Sequence, residues 1–198
     1  MRTTAPAPEE LTDHTGKPRA TFNMPLGYEA ARLSIAFHEA GHAVLALAYG
    51  IHVKTSEVIA WATDDDGGWA ATGKTDIRVD GASPWQFAAQ CAVGELASAH
   101  YLLAYGLWTP ERAAACRADH DRELAIDVLA RHGYPLGRVH VPVFGKSWGM
   151  VRGMARRKMY HLWREITAVA NALNDRTLLT GDEIAGLTGL ANAVGGGR

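Results

Sequence analysis

The stretch AFHEAGHAVLAL, residues 36–47, decides the predicted fold, and it places two histidines four positions apart with a glutamate after the first. Apolar residues recur at helical spacing from Tyr28 to about Tyr49, and Gly50 follows as a helix stop. Residues i and i+4 lie on the same face of a helix, one turn apart. The imidazoles of His38 and His42 can therefore converge on one metal ion, with Glu39 beside them.

The alternative is a surface helix on which both histidines are solvated and Glu39 makes an ordinary contact. The helix is strongly apolar around them, with Phe37 and Val44 as neighbours, so an unpaired imidazole would lose solvation without compensation. We therefore predict a zinc site in which Glu39 acts as a general base on a metal-bound water and is not itself a ligand.

A catalytic zinc site takes three protein ligands, so one more must come from elsewhere in the chain. The metzincin pattern is rejected because Leu45 stands where that pattern requires a glycine. A glutamate on a later helix would be Glu95, and the segment ADHDRELA offers Asp119 and Asp121. From the residues alone these candidates remain open.

AFHEAGHAVLAL resembles the zinc-binding helix of the FtsH family of metallopeptidases, including the aromatic residue before the first histidine and the small residues between the two. In that family the third ligand is an aspartate at the start of a helix, followed four residues later by alanine. Asp121 and Ala125 in DHDRELAIDVLA match this pattern. The resemblance implies that His38, His42 and Asp121 bind Zn²⁺. Asp121 is preferred as the third ligand over Asp119, Glu95 and His120, and Asp119 is then expected to be the helix N-cap.

The likeness covers about residues 30–190 and includes REITAVANALNDRTLLTGDEIAGL near the C-terminus, which is similar to the last helices of those peptidase domains. Two departures stand out. The ATPase module and membrane segment that accompany the family's peptidase do not occur in these 198 residues, and the usual acidic pair before the third ligand is reduced to GELAS. No phosphate-binding GxxxxGK[ST] loop occurs either, so we expect ATP-independent action, with an ATPase or adaptor acting in trans as a possible partner.

The predicted fold is mainly α within an α+β class: a helical zincin-like domain with a small β-hairpin or sheet beside the histidine helix. Valine- and threonine-rich segments flank DDDGG, which indicates two strands joined by a solvated turn at Asp64, Asp65 and Asp66. Further helices are predicted to begin after Ser83, Thr109 and Thr180. Another is predicted from about Asp119 to Arg131, and one long helix with a single apolar face is predicted from Trp148 to Leu173. We expect a flexible tail over residues 1–24, one domain over 25–192 and a frayed end over 193–198.

Composition limits the partners and the compartment. A net charge of −1 gives no reason to expect nucleic acid, and the basic run from Arg152 to Arg164 is interpreted as the solvated face of a helix. No apolar stretch approaches the length of a membrane span or a signal peptide, so we expect a cytoplasmic protein. Cys91 and Cys116 are predicted to be reduced core thiols.

The function predicted from these features is a zinc-dependent endopeptidase that cleaves flexible or unfolded polypeptides, with an edge strand as a platform for the extended substrate. Two alternatives remain. One is a small regulatory metallopeptidase that cleaves one specific protein. The other is a non-catalytic module in which zinc stabilises a groove that binds peptides.

Overall fold

The computed structural model describes residues 5–19, 24–63, 68–79 and 81–193. The predicted turn at Asp64–Asp66 and the frayed end beyond residue 193 lie outside the described residues, as do residues 1–4 and 20–23 of the predicted tail. The mainly helical α+β class is confirmed. The elements in chain order are α1 (Tyr28–Ala48), β1 (His52–Ala62), β2 (Trp69–Arg78), α2 (Pro84–Ala104), α3 (Pro110–Ala115), α4 (Asp119–Arg131), β3 (Leu136–Gly137), β4 (Lys146–Ser147), α5 (Trp148–His161), α6 (Trp163–Arg176), β5 (Leu178–Thr180) and α7 (Gly181–Thr188).

Helix α1 lies at the centre of the molecule and packs against α2, α6, β1 and β2. Thirteen of its 21 residues are buried, because apolar side chains point to every side and not along one stripe. Phe37 stacks between Tyr101 of α2 and Trp163 of α6, with ring centroids 4.9 Å and 5.1 Å away. The helix that carries the histidine motif is thus fixed from several directions.

The sheet is small and antiparallel, with strand order β2-β1-β5. Strands β1 and β2 form the predicted pair, in a register that places Ser56 opposite Thr75 and Val58 opposite Gly73. The far side of β1 pairs with β5, so β2 is an edge strand. This edge lies beside α1, where the histidine motif is.

Two helix predictions need correction. Residues 148–173 do not form one helix: α5 ends at His161 and α6 begins at Trp163. No Gly or Pro marks this break, and its physical reason is tertiary, because the Trp163 ring packs against Phe37 and against His100, whose centroid is 4.3 Å away. Asp119 is the first residue of α4 and not its N-cap, which is Ala118, because the Asp119 carboxylate pairs with arginines instead of capping the helix.

The capping predictions are confirmed at other helix ends. Thr180 and Glu183 form a capping box at α7, with the Thr180 N–H donating to Glu183 Oε2 at 2.8 Å. The Gln86 side chain likewise accepts from the Ser83 N–H at 3.2 Å, where α2 begins. Within the described part of the chain, no helix combines the length and the apolar character that crossing a bilayer requires.

Candidate metal centre

One buried face of α1 presents His38, Glu39 and His42 toward a cavity of about 450 Å³. Glu39 and His42 are 5% and 6% exposed, and His38 is slightly more open. The two imidazoles lie with ring centroids 4.7 Å apart, as expected for positions one helical turn apart. Both rings therefore have their Nε2 atoms at the cavity wall.

Helix α4 brings Asp121 to the same point. Its Oδ2 lies 3.2 Å from His38 Nε2 and 3.2 Å from His42 Nε2, and the two nitrogens are 3.0 Å apart. Among the described residues these three side chains form the one group of His, Cys, Asp or Glu whose donor atoms lie close enough to share an ion. The structure thus brings together the three residues that the family resemblance implies as ligands.

The other three ligand candidates make different contacts. The Asp119 side chain is 41% exposed and pairs with Arg117 and Arg122, each at 3.0 Å. Glu95 pairs with Arg152 on α5 at 2.7 Å and does not line the cavity. His120 does line the cavity, but its Nε2 lies 3.3 Å from Asp121 Oδ1, so it contacts the carboxylate oxygen that faces away from the two histidines.

The ligand candidates are oriented by neighbours in a way that suits metal binding. The Nδ1–H of His42 donates to the backbone oxygen of Gln90 on α2 at 2.7 Å, because a carbonyl can only accept. Such a bond to the remote ring nitrogen fixes the tautomer and aims Nε2 at the metal position. On the third candidate, His120 lies beside Asp121 Oδ1, and Oδ2 is the oxygen that lies near both imidazoles.

The charges at this point are strongly coupled. Burial disfavours a charged His42, but the Asp121 carboxylate outweighs burial and raises the pKa of His42 to about 9. Burial likewise opposes ionisation of Asp121, yet His42 and the hydrogen bonds from both imidazoles hold the pKa of Asp121 well below its usual range. The cluster therefore favours a buried carboxylate next to a positive charge, and a divalent cation supplies such a charge.

The donor set fits zinc. Zn²⁺ binds imidazole nitrogen and carboxylate oxygen at about 2.0–2.2 Å, which in a tetrahedral site places the donor atoms about 3.3 Å from one another. The three observed separations are 3.0, 3.2 and 3.2 Å. Catalytic zinc sites take three protein ligands and leave the fourth position to water, whereas structural sites take four. Among the described residues, three donors are grouped here beside the cavity. Zinc itself stays a prediction.

Glu39 is held by a hydrogen bond from the sheet and does not belong to the group of three donors found among the described residues. Its Oε2 accepts a hydrogen bond from Thr75 Oγ1 on β2 at 2.7 Å. The Thr75 hydroxyl has one proton, so Ser56 on β1 must be the donor in the 2.9 Å contact between the two hydroxyls. This chain from Ser56 to Thr75 to Glu39 fixes one carboxylate oxygen and leaves Oε1 beside Gly73.

Two glycines that the sequence analysis did not select make room for the site. A Cβ on Gly94 of α2 would lie 2.4 Å from the Nε2 atoms of both His38 and His42. A Cβ on Gly73 of β2 would lie 2.4 Å from Oε1 of Glu39. Glycine is unfavourable inside a helix or a strand, so its presence at both positions indicates that another group lies close to the backbone there. The sequence analysis could have used this signal. Thr75 and Ser56 carried no such signal.

Comparisons with known proteins add no evidence about this site. No protein-family model matches the chain, and a search of curated proteins also found no match.

Proposed function

We propose that this chain is a zinc-dependent endopeptidase of FtsH-like type, acting on flexible or unfolded polypeptides. One observation carries the proposal: two histidine nitrogens and one aspartate oxygen converge within 3.2 Å of one another beside a buried, oriented glutamate. Glu39 directly follows the ligand candidate His38 in the sequence, but its carboxylate is hydrogen-bonded to Thr75. It is therefore available for proton transfer. The edge of β2, which pairs with no further strand among the described residues, runs beside it.

The residues of the site would have distinct roles. His38, His42 and Asp121 would hold the ion, which when bound supplies a Lewis acid for the scissile carbonyl and lowers the pKa of the attacking water toward about 7. Glu39 accepts a proton from that water as its oxygen bonds to the carbonyl carbon. Glu39 then returns the proton to the nitrogen as the C–N bond breaks, so the amine leaves neutral.

The edge strand supports the choice of substrate. An extended peptide can bind a free strand edge through backbone hydrogen bonds that read little of the side-chain sequence. A segment inside a folded protein already uses its backbone groups and cannot pair in this way. We therefore expect cleavage of flexible segments, with any unfolding of stable proteins left to an ATPase or adaptor in trans.

The test combines metal analysis with cleavage of labelled casein. Wild type is expected to hold about one zinc per chain and to cleave casein, whereas His38→Ala loses both properties. Glu39→Gln keeps the zinc and loses about 10² to 10⁴ in rate, because only the general base is removed. His161→Ala, at an exposed position on α5, is the matched histidine control and changes neither property.

Each outcome decides between the alternatives. Cleavage at the wild-type rate by Glu39→Gln would refute the mechanism. Zinc with peptide binding but no cleavage by wild type would identify a peptide-binding module. Cleavage of one specific protein, with casein left intact, would identify a regulatory peptidase.

A further inference from the structure

The segment of residues 8–19, here called the strap, has a defined shape although the sequence predicted a flexible tail around it. A 3-10 helix spans Pro8–Leu11, and Thr12 forms a β-bridge with Pro18. Between them Asp13 Oδ1 accepts from the N–H and the hydroxyl of Thr15 at 2.8 and 2.7 Å. These hydrogen bonds, that of the Thr15 hydroxyl first, lower the pKa of Asp13 to about 2. The strap is thus a compact turn.

The strap forms one wall of the cavity that contains the candidate metal centre. Residues from the strap line this cavity together with His38, Glu39, His42 and Asp121. The lining residues contributed by the strap are Glu9, Glu10, Thr12, Asp13, His14 and Arg19. A polypeptide bound in this cavity would therefore lie against the strap.

Two contacts attach the strap to opposite sides of the cavity. On one side, His14 Nε2 lies 2.8 Å from Asp127 Oδ2 on α4, the helix that provides Asp121. On the other, the Arg19 guanidinium donates from Nη1 to the backbone oxygen of Gly73 on β2 at 3.3 Å. The strap thus bridges the cleft from the ligand helix to the edge strand.

The oxygen that Arg19 occupies points out of the sheet. Val58 is opposite Gly73, but the Val58 N–H donates to Thr177 at 2.8 Å on the other side of β1. Paired residues in an antiparallel ladder point their backbone groups either toward each other or both away. The Gly73 N–H and carbonyl therefore lie on the side of β2 away from β1, where an extended substrate would pair, and the Cα of the same residue lies against Glu39 Oε1.

We propose that the strap is an autoinhibitory element that occupies the substrate-binding edge of β2 and must lift before a polypeptide can bind. This inference rests on the proposed peptidase function, since it concerns access to the same site. Arg19 takes the backbone oxygen of Gly73, the β2 residue that packs against Glu39, and the strap forms one wall of the cleft. Regulation then consists of any event that breaks the contacts of His14 and Arg19.

The contacts that attach the strap are weak enough for the strap to be released. The Asp127 side chain is 45% exposed, and a contact between polar side chains at such an exposed position contributes little to stability. A site that is open for only a fraction of the time has its apparent affinity reduced by that fraction. We expect the loss of either contact to improve substrate affinity about two- to five-fold, and the loss of both to improve it about ten-fold.

The experiment uses the full chain loaded with zinc and four variants: His14→Ala, Arg19→Ala, the double variant, and Lys17→Ala as the control. Lys17 lies in the strap, but its side chain does not line the cavity. Amide hydrogen exchange over residues 8–19 reports release of the strap. KM and kcat are measured with a fluorescent unfolded casein fragment, and its Kd is measured in the same variants combined with Glu39→Gln.

The expected result is faster exchange in the strap, a lower KM with unchanged kcat, and a lower Kd by the same factor, with no change for Lys17→Ala. An unchanged or higher KM and Kd in the double variant would overturn the proposal, whether or not exchange increases. If no variant cleaves the fragment, the peptidase proposal fails, but the Kd still decides the strap: tighter binding in the double variant supports it. Absence of binding to every variant overturns it.

Discussion

Gly94→Ala should destroy the metal centre while leaving the fold intact, because the added methyl group points at both histidine ligands. It would lie 2.4 Å from Nε2 of His38 and of His42, and 2.6 Å from Cε1 of His38. Ordinary contact begins near 3.4 Å, so the overlap with each ring is about 1 Å. The imidazoles must turn away or α2 must move from α1.

Either response breaks the geometry that zinc needs. Rotation of His42 lengthens its 2.7 Å bond to the Gln90 carbonyl, and movement of α2 carries that carbonyl away. Loss of one such orienting bond costs about 10- to 100-fold in metal affinity, and here two ligands shift together. We expect zinc affinity to fall about 100-fold or more, as measured by titration against a chromophoric chelator, with the helical circular dichroism retained.

Gly153→Ala on α5 is the matched control, because nothing lies within 4 Å of its added methyl group. There alanine should stabilise the helix by about 0.5–1 kcal/mol, which raises Tm by about 1–4 °C and leaves zinc binding unchanged. A Gly94→Ala protein that binds one zinc with wild-type affinity would refute the account of how α2 packs on the site.

Four further outcomes are expected. Asp121→Ala should lose zinc, whereas Asp119→Ala, which removes only exposed ion pairs, should keep it under the same dialysis. Thr75→Val should lower kcat about ten-fold or more without loss of zinc, because a hydrogen bond to a carboxylate is removed, and Thr75→Ser should restore the rate. Chelation of zinc present at 1,000 times its Kd should remove about 4 kcal/mol of stability, a fall in Tm of about 8–16 °C in calorimetry. Burial raises the pKa of Cys116 to about 11, so its labelling by a thiol reagent should be slow at pH 8, rise about ten-fold per pH unit toward pH 11, and become fast on unfolding.

The elements that sequence predicted well are those with local signals. Helix α2 begins after Ser83 with proline in its first turn, and α4 ends before Gly133. Strands β1 and β2 follow the valine- and threonine-rich pattern on either side of the sequence DDDGG. The spacing of His38 and His42 is also local, since it depends only on helical geometry. Asp121 was selected through a family resemblance, and the structure places it against both histidines.

What sequence did not provide depends on contacts between distant residues. The break at Leu162 follows from the packing of Trp163, and the two-residue strands β3 and β4 have no periodicity to detect. Thr75 reaches Glu39 across 36 positions of the chain, so only the fold reveals that this threonine holds the general base. Gly94 was seen only as part of a segment that lacked an acidic pair, although its value lies in having no side chain.

The open edge of β2 also has a consequence for solubility. A strand with an unpaired edge is a template for pairing with another chain, and folded proteins usually protect such edges with charge or with a covering segment. Arg19 does both at Gly73. Conditions that lift the strap would therefore expose a strand edge that can pair with another chain, and substrate bound along β2 would take over its protection.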